Sequence, residues 1–323
     1  MRISSQTLVI LLALAAWGRA GTIVLKRAWI EQFKDRATID ATFTIDHAHP
    51  RPNPPAKDGD MHVAGRAPKE IGLPTVAEIM NAADASEQGA VNTVHSNEGN
   101  GQFIAVSGAW RLWFEHPPSA GTQIQFADVP PAANTNPDHC FEIHPLTKVG
   151  SNDLKASLHD IPGFTYKDAE AAFASYEKLS VSLQSNATAV TLTSAKSGYN
   201  YVLFTIRVAS RNTALKDGGI SVVADVVPEA GDDAEALANN VRMIFVPGTP
   251  PFQKASGGLQ IGDELTVVGI PRVNLNAISA FLAAAGNGKV TRKLPYEMII
   301  VALEGSGAAA PTAAAGSRAA QKR

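Results

Sequence analysis

Two short segments of this 323-residue chain alternate their side chains in a way that could assemble a reactive centre. In Asp58-Gly59-Asp60-Met61-His62-Val63, Met61 and Val63 point to one face of an extended strand, and Asp58, Asp60 and His62 point to the other. In Cys140-Phe141-Glu142-Ile143-His144-Pro145, Phe141 and Ile143 face inward if Glu142 and His144 face outward. If the strands are near neighbours, Asp60, His62, Glu142 and His144 could hold a divalent cation, with Asp58 and Glu78 as further acids of the same set. Mixed imidazole and carboxylate donors suit zinc, manganese or iron. A metal there could lower the pKa of a bound water and make a hydrolase, with Glu78 as a base. His47 and His49 lie beside a Pro-rich loop that could fold over the patch. The plainer alternative is a wet outer strand face, where polar residues alternate with core residues for no functional reason.

A second candidate is Ala109-Trp110-Arg111-Leu112-Trp113-Phe114. Trp110 and Leu112 share one strand face, and Arg111 and Trp113 share the other. On an exposed sheet, Trp110, Arg111 and Trp113 could bind a ligand by stacking a base or a sugar. Buried, they would cover a core edge or a domain interface. Cys140 has His139 and His144 nearby, which admits a nucleophile reading, although cysteine is among the most buried residue types. No G-x-S-x-G, H-E-x-x-H, Walker or dinucleotide motif is present.

Short strands must position these residues. Arg36–Ile45, Asp58–Gly65, Gly101–Phe114 and Cys140–Leu146 read as strands, the last stopped by Pro145, which cannot donate to a ladder. Pro74–Ala82 fits either a short helix or a strand. A helix over Tyr166–Leu179 opens the second half. Strands follow near 179–184, 189–195, 200–209, 219–228, 240–246 and 263–270, then a helix over Asn274–Ala285 and a strand over Tyr296–Leu303. Many short strands, few helices and frequent Gly/Pro breaks predict a mostly β chain of two small barrels.

Charge and composition divide the chain. Residues 21–150 carry 10 Lys/Arg against 15 Asp/Glu, a net of −5, and seven of the eight histidines. Residues 151–304 carry 13 against 15, a net of −2. We therefore expect an acidic, His-rich module over 21–150 and a second barrel with an N-terminal helix over 151–304. Such a balance disfavours nucleic acid as a partner. Residues 1–20 read as a signal peptide: Arg2, an apolar run from Leu8 to Trp17, and small residues Gly18 and Ala20 before a cut. The run is shorter than the about 20 residues of a membrane span, so the expected destination is secreted or periplasmic, with no membrane span after cleavage. Residues 305–323 read as a disordered Ala/Gly-rich tail.

The run Leu259-Gln260-Ile261-Gly262-Asp263-Glu264-Leu265-Thr266-Val267-Val268-Gly269 resembles the late strands of oligonucleotide-binding (OB) barrels, including single-strand DNA-binding proteins. Asp58-Gly59-Asp60-Met61-His62, Glu78 and Glu142-Ile143-His144-Pro145 resemble the D-x-D-x-H and E-x-H-P pattern of an uncharacterised secreted bacterial family with an OB-like barrel. The resemblance implies a fold and a cluster of these polar residues, and no activity. Three functions are compatible with this reading. The leading one is a non-enzymatic extracytoplasmic binding protein for a small molecule, a glycan or a protein. The others are a metal-dependent hydrolase built on the Asp/His/Glu cluster, and single-stranded nucleic-acid binding through the second barrel. A purely structural envelope protein fits as well.

Overall fold

The alternating segments form strands because each can hide one face, and the hidden faces close on themselves. A computed structural model of the chain describes residues 20–228 and 235–306. The proposed signal, apart from Ala20, and the tail beyond Ser306 lie outside the described residues. The chain starts with strand β1 (Ala20–Lys26) and helix α1 (Arg27–Phe33). It continues through β2 (Thr38–Ala48), β3 (Met61–Arg66), β4 (Thr75–Ile79), helix α2 (Gln88–Asn97) and β5 (Phe103–His116). Then come β6 (Gln123–Ile124), β7 (His139–Val149) and β8 (Asn152–Asp153). β2 pairs with β3, β3 with β4, β4 in parallel with β7, β7 with β5, and β5 back with β2. This closes a five-stranded OB-like barrel.

Helix α3 (Ala169–Lys178), capped by the Asp168 side chain on the Ala171 N–H, opens the second half. It leads into β9 (Ser180–Ser185), β10 (Ala189–Ala195), β11 (Val202–Val208), β12 (Thr213–Ala214), β13 (Ile220–Val227) and β14 (Ala238–Phe245). Helix α4 (Pro250–Ser256), β15 (Glu264–Val273), helix α5 (Leu275–Ala285), β16 (Gly288–Lys293) and β17 (Tyr296–Leu303) follow. Strands β11, β13, β14, β17 and β15 repeat the closure of the first barrel, again with one parallel pair, β14 with β17. With 43% strand and 18% helix the described residues are mostly β, as the many short strands and frequent Gly/Pro breaks predict. A third sheet, ordered β16-β9-β10-β1-β6, takes strands from both sides of residue 150. No helix among the described residues is long and apolar enough to cross a membrane.

Met61, Val63, Phe141 and Ile143 all lie in the core, as their two-residue period predicts. Pro74–Ala82 resolves as the strand β4. Two expectations are corrected. Pro145 does not end its strand: β7 runs on to Val149, and an extra residue enters its ladder with β5 between Ile143 and Leu146. A bulge at that point accommodates a residue with no N–H to donate. A Cβ at Gly108, opposite, would lie 2.5 Å from the Pro145 carbonyl oxygen, so only glycine permits this approach. The second correction concerns Trp110, Arg111 and Trp113. They are 0%, 0% and 1% exposed, so there is no aromatic platform on a wet sheet.

Their burial has a cause, because β5 of the first barrel lies against β15 of the second. Arg111 on β5 donates its Nε–H to the Pro271 carbonyl on β15 at 2.9 Å. Arg272 on β15 donates from Nη1 to the Trp110 carbonyl on β5 at 3.0 Å. Each barrel thus sends one guanidinium into the backbone of the other. Arg272 also stacks 3.6 Å from the Trp110 ring centroid, pairs with Glu297 at 2.7 Å and reaches the Ala37 and Arg36 carbonyls. Replacing Arg272 with Met leaves the buried Glu297 with Arg242 alone, at 3.0 Å, and takes a donor from the Ala37, Arg36 and Trp110 carbonyls. We expect Arg272→Met to lose about 3–5 kcal/mol in urea unfolding. A loss below about 1 kcal/mol, the level of an exposed pair, would contradict this account of the clasp.

Candidate metal centre

The side chains singled out by strand alternation converge, but they are not on a wet surface. The ladder between β3 and β4 sets His62 opposite Glu78. The parallel register of β4 and β7, Val76 with Glu142 and Ala77 with Ile143, carries Glu78 and His144 to the next rung. Asp60 enters from the turn before β3, where Gly59 adopts φ +72°. Among the described residues, Asp60, Glu78 and His144 offer one donor atom each, all within 4.8 Å of one another. They are 1%, 5% and 0% exposed, which corrects the expectation of an outward-facing patch. The cover comes from the second half of the chain. Tyr201 and Phe164 stand over the cluster as walls of a cavity of about 350 Å³. Asp60, His62, Glu78 and Glu142 also line it, and Lys57, His116 and Lys167 contribute cationic or titratable groups.

The centre is tightly wired. The Tyr201 hydroxyl donates to Asp60 Oδ2 at 2.6 Å and lies 2.8 Å from His144 Nε2. His144 Nδ1 sits 3.4 Å from Glu78 Oε2 and 3.3 Å from Glu142 Oε2. His62 Nε2 approaches Glu78 Oε2 at 3.5 Å. Glu142 is shared: Arg111 Nη1 forms a close ion pair with it, and His139 Nε2 lies 3.2 Å from its other oxygen. Arg111 also holds Glu115 at 2.7 Å. Two buried atoms of this cluster, Asp60 Oδ1 and His62 Nδ1, make no hydrogen bond of ordinary geometry with a protein donor or acceptor.

These contacts set the protonation of each group. Burial and the neighbouring Glu78 carboxylate push the Asp60 carboxyl well above the usual carboxylate range. Burial also opposes ionisation of Glu142, but Arg111 and the two imidazoles outweigh it and hold that carboxyl well below the range. Glu78 is lowered in the same way, with His144 and His62 overcoming its desolvation. His144 and His139 are raised despite burial, His144 chiefly by Glu78 and Glu142, and His139 by Glu142. Glu142 is therefore a fixed anion. Asp60, whose carboxyl resists ionisation and whose Oδ1 receives no protein donor, is the member with capacity to spare.

The remaining candidates separate cleanly. Asp58 shapes the turn, its Oδ1 accepting from the Asp60 N–H at 3.1 Å and from Asn53 Nδ2 at 2.8 Å. His49 stacks on His62 with ring centroids 4.6 Å apart, whereas His47 faces Glu98 at 3.9 Å, away from the cluster. Cys140 is buried and its thiol is pushed up to about 12 by desolvation and Glu142, which removes the nucleophile reading. Tyr201 was missed by sequence reasoning. It lies 141 positions from Asp60, and nothing in Ser197-Gly198-Tyr199-Asn200-Tyr201 announces the contact. The only sequence-level handle on it was the expectation that a second barrel exists.

Comparison with known proteins finds no matching family model, no matching curated protein and no matching solved structure. Fold and site therefore define the class: a double β-barrel protein with a possible metal-binding cluster in its first barrel.

The histidines provide a direct check on the wiring. His139 and His144 should titrate above the free value of about 6.5, and His49 and His116 below it. Each raised imidazole stabilises the fold fully below about pH 6.5, and loses that contribution as pH rises through its native value. The lowered pair acts with the opposite sign. Glu142→Gln should bring His139 and His144 down in an NMR titration and leave His49 close to its original value. Four imidazoles titrating together near 6.5 would contradict the arrangement.

Proposed function

We propose that the protein is an extracytoplasmic binding protein whose ligand site is a cation centre in the first barrel, made by Asp60, Glu78 and His144. One observation carries the reading: three buried donors on separate segments converge within 4.8 Å, and no protein donor reaches Asp60 Oδ1, whose neighbour is the Glu78 carboxyl. A buried polar atom left without a partner is costly unless something else satisfies it. Two carboxylates and an imidazole suit zinc or manganese. Glu142 and Arg111 are the outer layer that orients His144, as the partners of metal-bound imidazoles do. The polar cavity beside the centre gives a small ligand room to reach the cation. The extracytoplasmic location rests on the signal-like residues 1–20.

The same cavity favours one second reading, metal-assisted hydrolysis, in which the cation activates a bound water. Net charge continues to speak against nucleic acid as the ligand.

After stripping with a chelator, the protein should bind one equivalent of Mn²⁺ or Zn²⁺ by calorimetry. Its unfolding free energy should rise by about 2.7 kcal/mol at a metal concentration of 100 Kd. Glu78→Gln keeps the shape of the side chain and one acceptor oxygen for His62 and His144 while removing the charge, so it should fold and lose about 100-fold in affinity. A protein whose melting ignores both chelator and added metal would overturn the reading.

A further inference from the structure

Tyr201 occupies an unusual position. It is 2% exposed, comes from the second half of the chain, and its backbone has φ +51°, with Tyr199 nearby at φ +65°. Bulky residues rarely adopt this left-handed region, and such conformations persist where the surroundings over-determine them. Here the backbone delivers a phenol into the cluster of the other barrel. Tyr201 OH, Asp60 Oδ2 and His144 Nε2 are separated by 2.6, 2.8 and 3.6 Å. Adjacent donors on one cation, with bonds of about 2.0–2.2 Å, stand roughly 3 Å apart. The phenol oxygen is therefore already at the spacing of a neighbouring ligand.

The chemistry of the set narrows the ion. Asp60, Glu78 and Tyr201 supply three oxygens that can each carry one negative charge, and His144 adds a neutral nitrogen. No thiolate participates, since the single cysteine packs in the barrel core. Hard oxygen donors select hard cations. A buried site also demands that charge be compensated, and three anionic oxygens neutralise a trivalent ion. Divalent zinc or manganese leaves the phenol protonated, donating to Asp60, whereas a trivalent ion polarises it enough to take its place as a phenolate.

We propose that Tyr201 completes the centre as a phenolate ligand and makes it a site for ferric iron. The inference rests on the cation centre proposed above and names its ion. On binding, the Tyr201 O–H bond breaks and its oxygen bonds Fe³⁺; the phenol proton, together with the proton that a neutral Asp60 carboxyl gives up as it becomes a carboxylate ligand, leaves to solvent. Iron keeps its oxidation state, so no reductant or oxidant is involved.

Chelator-stripped full-length protein titrated with ferric nitrilotriacetate should develop the intense visible charge-transfer band of a phenolate–iron(III) bond, saturating at one equivalent. Resonance Raman excitation in that band should enhance tyrosinate ring modes. Tyr201→Phe should abolish the band and still take up Mn²⁺, while Tyr199→Phe should retain it. Iron bound without the band, or a band that survives in Tyr201→Phe, would overturn the assignment. The wild-type spectrum alone decides if Tyr201→Phe fails to fold, because a colourless ferric protein sinks the idea. Uptake of Mn²⁺ or Zn²⁺ without ferric binding overturns this inference and leaves the cation centre standing. Failure to bind any of the three ions removes both.

Discussion

The structure turns on a reciprocal exchange of arginines between two neighbouring strands. Arg111 crosses from the first barrel to the Pro271 carbonyl, and Arg272 crosses back to the Trp110 carbonyl. Both guanidinium groups are fully buried, so their desolvation offsets much of what their ion pairs contribute. Their main effect is geometric. A planar fork of donors has few ways to satisfy carbonyls and a carboxylate at once, so the two strands are held in one relation. The same Arg111 pairs with Glu142, and Glu142 in turn contacts His144. One residue thus ties the seam between the barrels to the polar cluster.

This connection explains why a buried collection of acids and imidazoles is tolerated. Strands β3, β4 and β7 send Met61, Val63, Ala77, Ile79, Phe141 and Ile143 to an apolar core, and His62, Glu78, Glu142 and His144 to the cluster. Left in water, the second set would be ordinary surface. Covered by Tyr201 and Phe164, it becomes a low-dielectric site in which each charge needs a partner. Glu142 has Arg111 and His139, and Glu78 has His144 and His62. Asp60 has the Tyr201 hydroxyl on one oxygen, the Glu78 carboxyl as neighbour, and no protein donor on Oδ1. The network is complete except at Asp60 Oδ1 and His62 Nδ1, and both residues line the cavity.

What was legible in the sequence was periodicity. The strands over 189–195 and 296–303 stand where alternation puts them, and Met61, Val63, Phe141 and Ile143 are core. Asp60, Glu142 and His144 were also readable, because β-strands repeat every two residues, whereas Glu78 lies in a segment that fits helix or strand equally and entered through the resemblance. What covers that set was not readable. Alternation separates two faces but does not say whether the second meets water or another barrel, so the outer face of β3 and β7 was read as wet. Trp110, Arg111 and Trp113 failed for the same reason. Pro145 was read by its missing donor alone, although a bulge makes that donor unnecessary. β1 and α1 lie just beyond the signal-like residues and were passed over, and β1 finds its partner in β10 only through tertiary pairing. Tyr201 belongs to this class too, since its role depends on a contact across 141 positions.

The central claim is that Asp60, Glu78 and His144 converge in order to hold a cation. Anomalous diffraction from crystals of the full-length protein soaked in manganese tests it most directly. The account predicts one strong peak bonded to oxygens of Asp60 and Glu78 and to a nitrogen of His144, with Arg111 still paired to Glu142. A manganese peak confined to surface carboxylates, with an ordered water or nothing at the cluster, would contradict it.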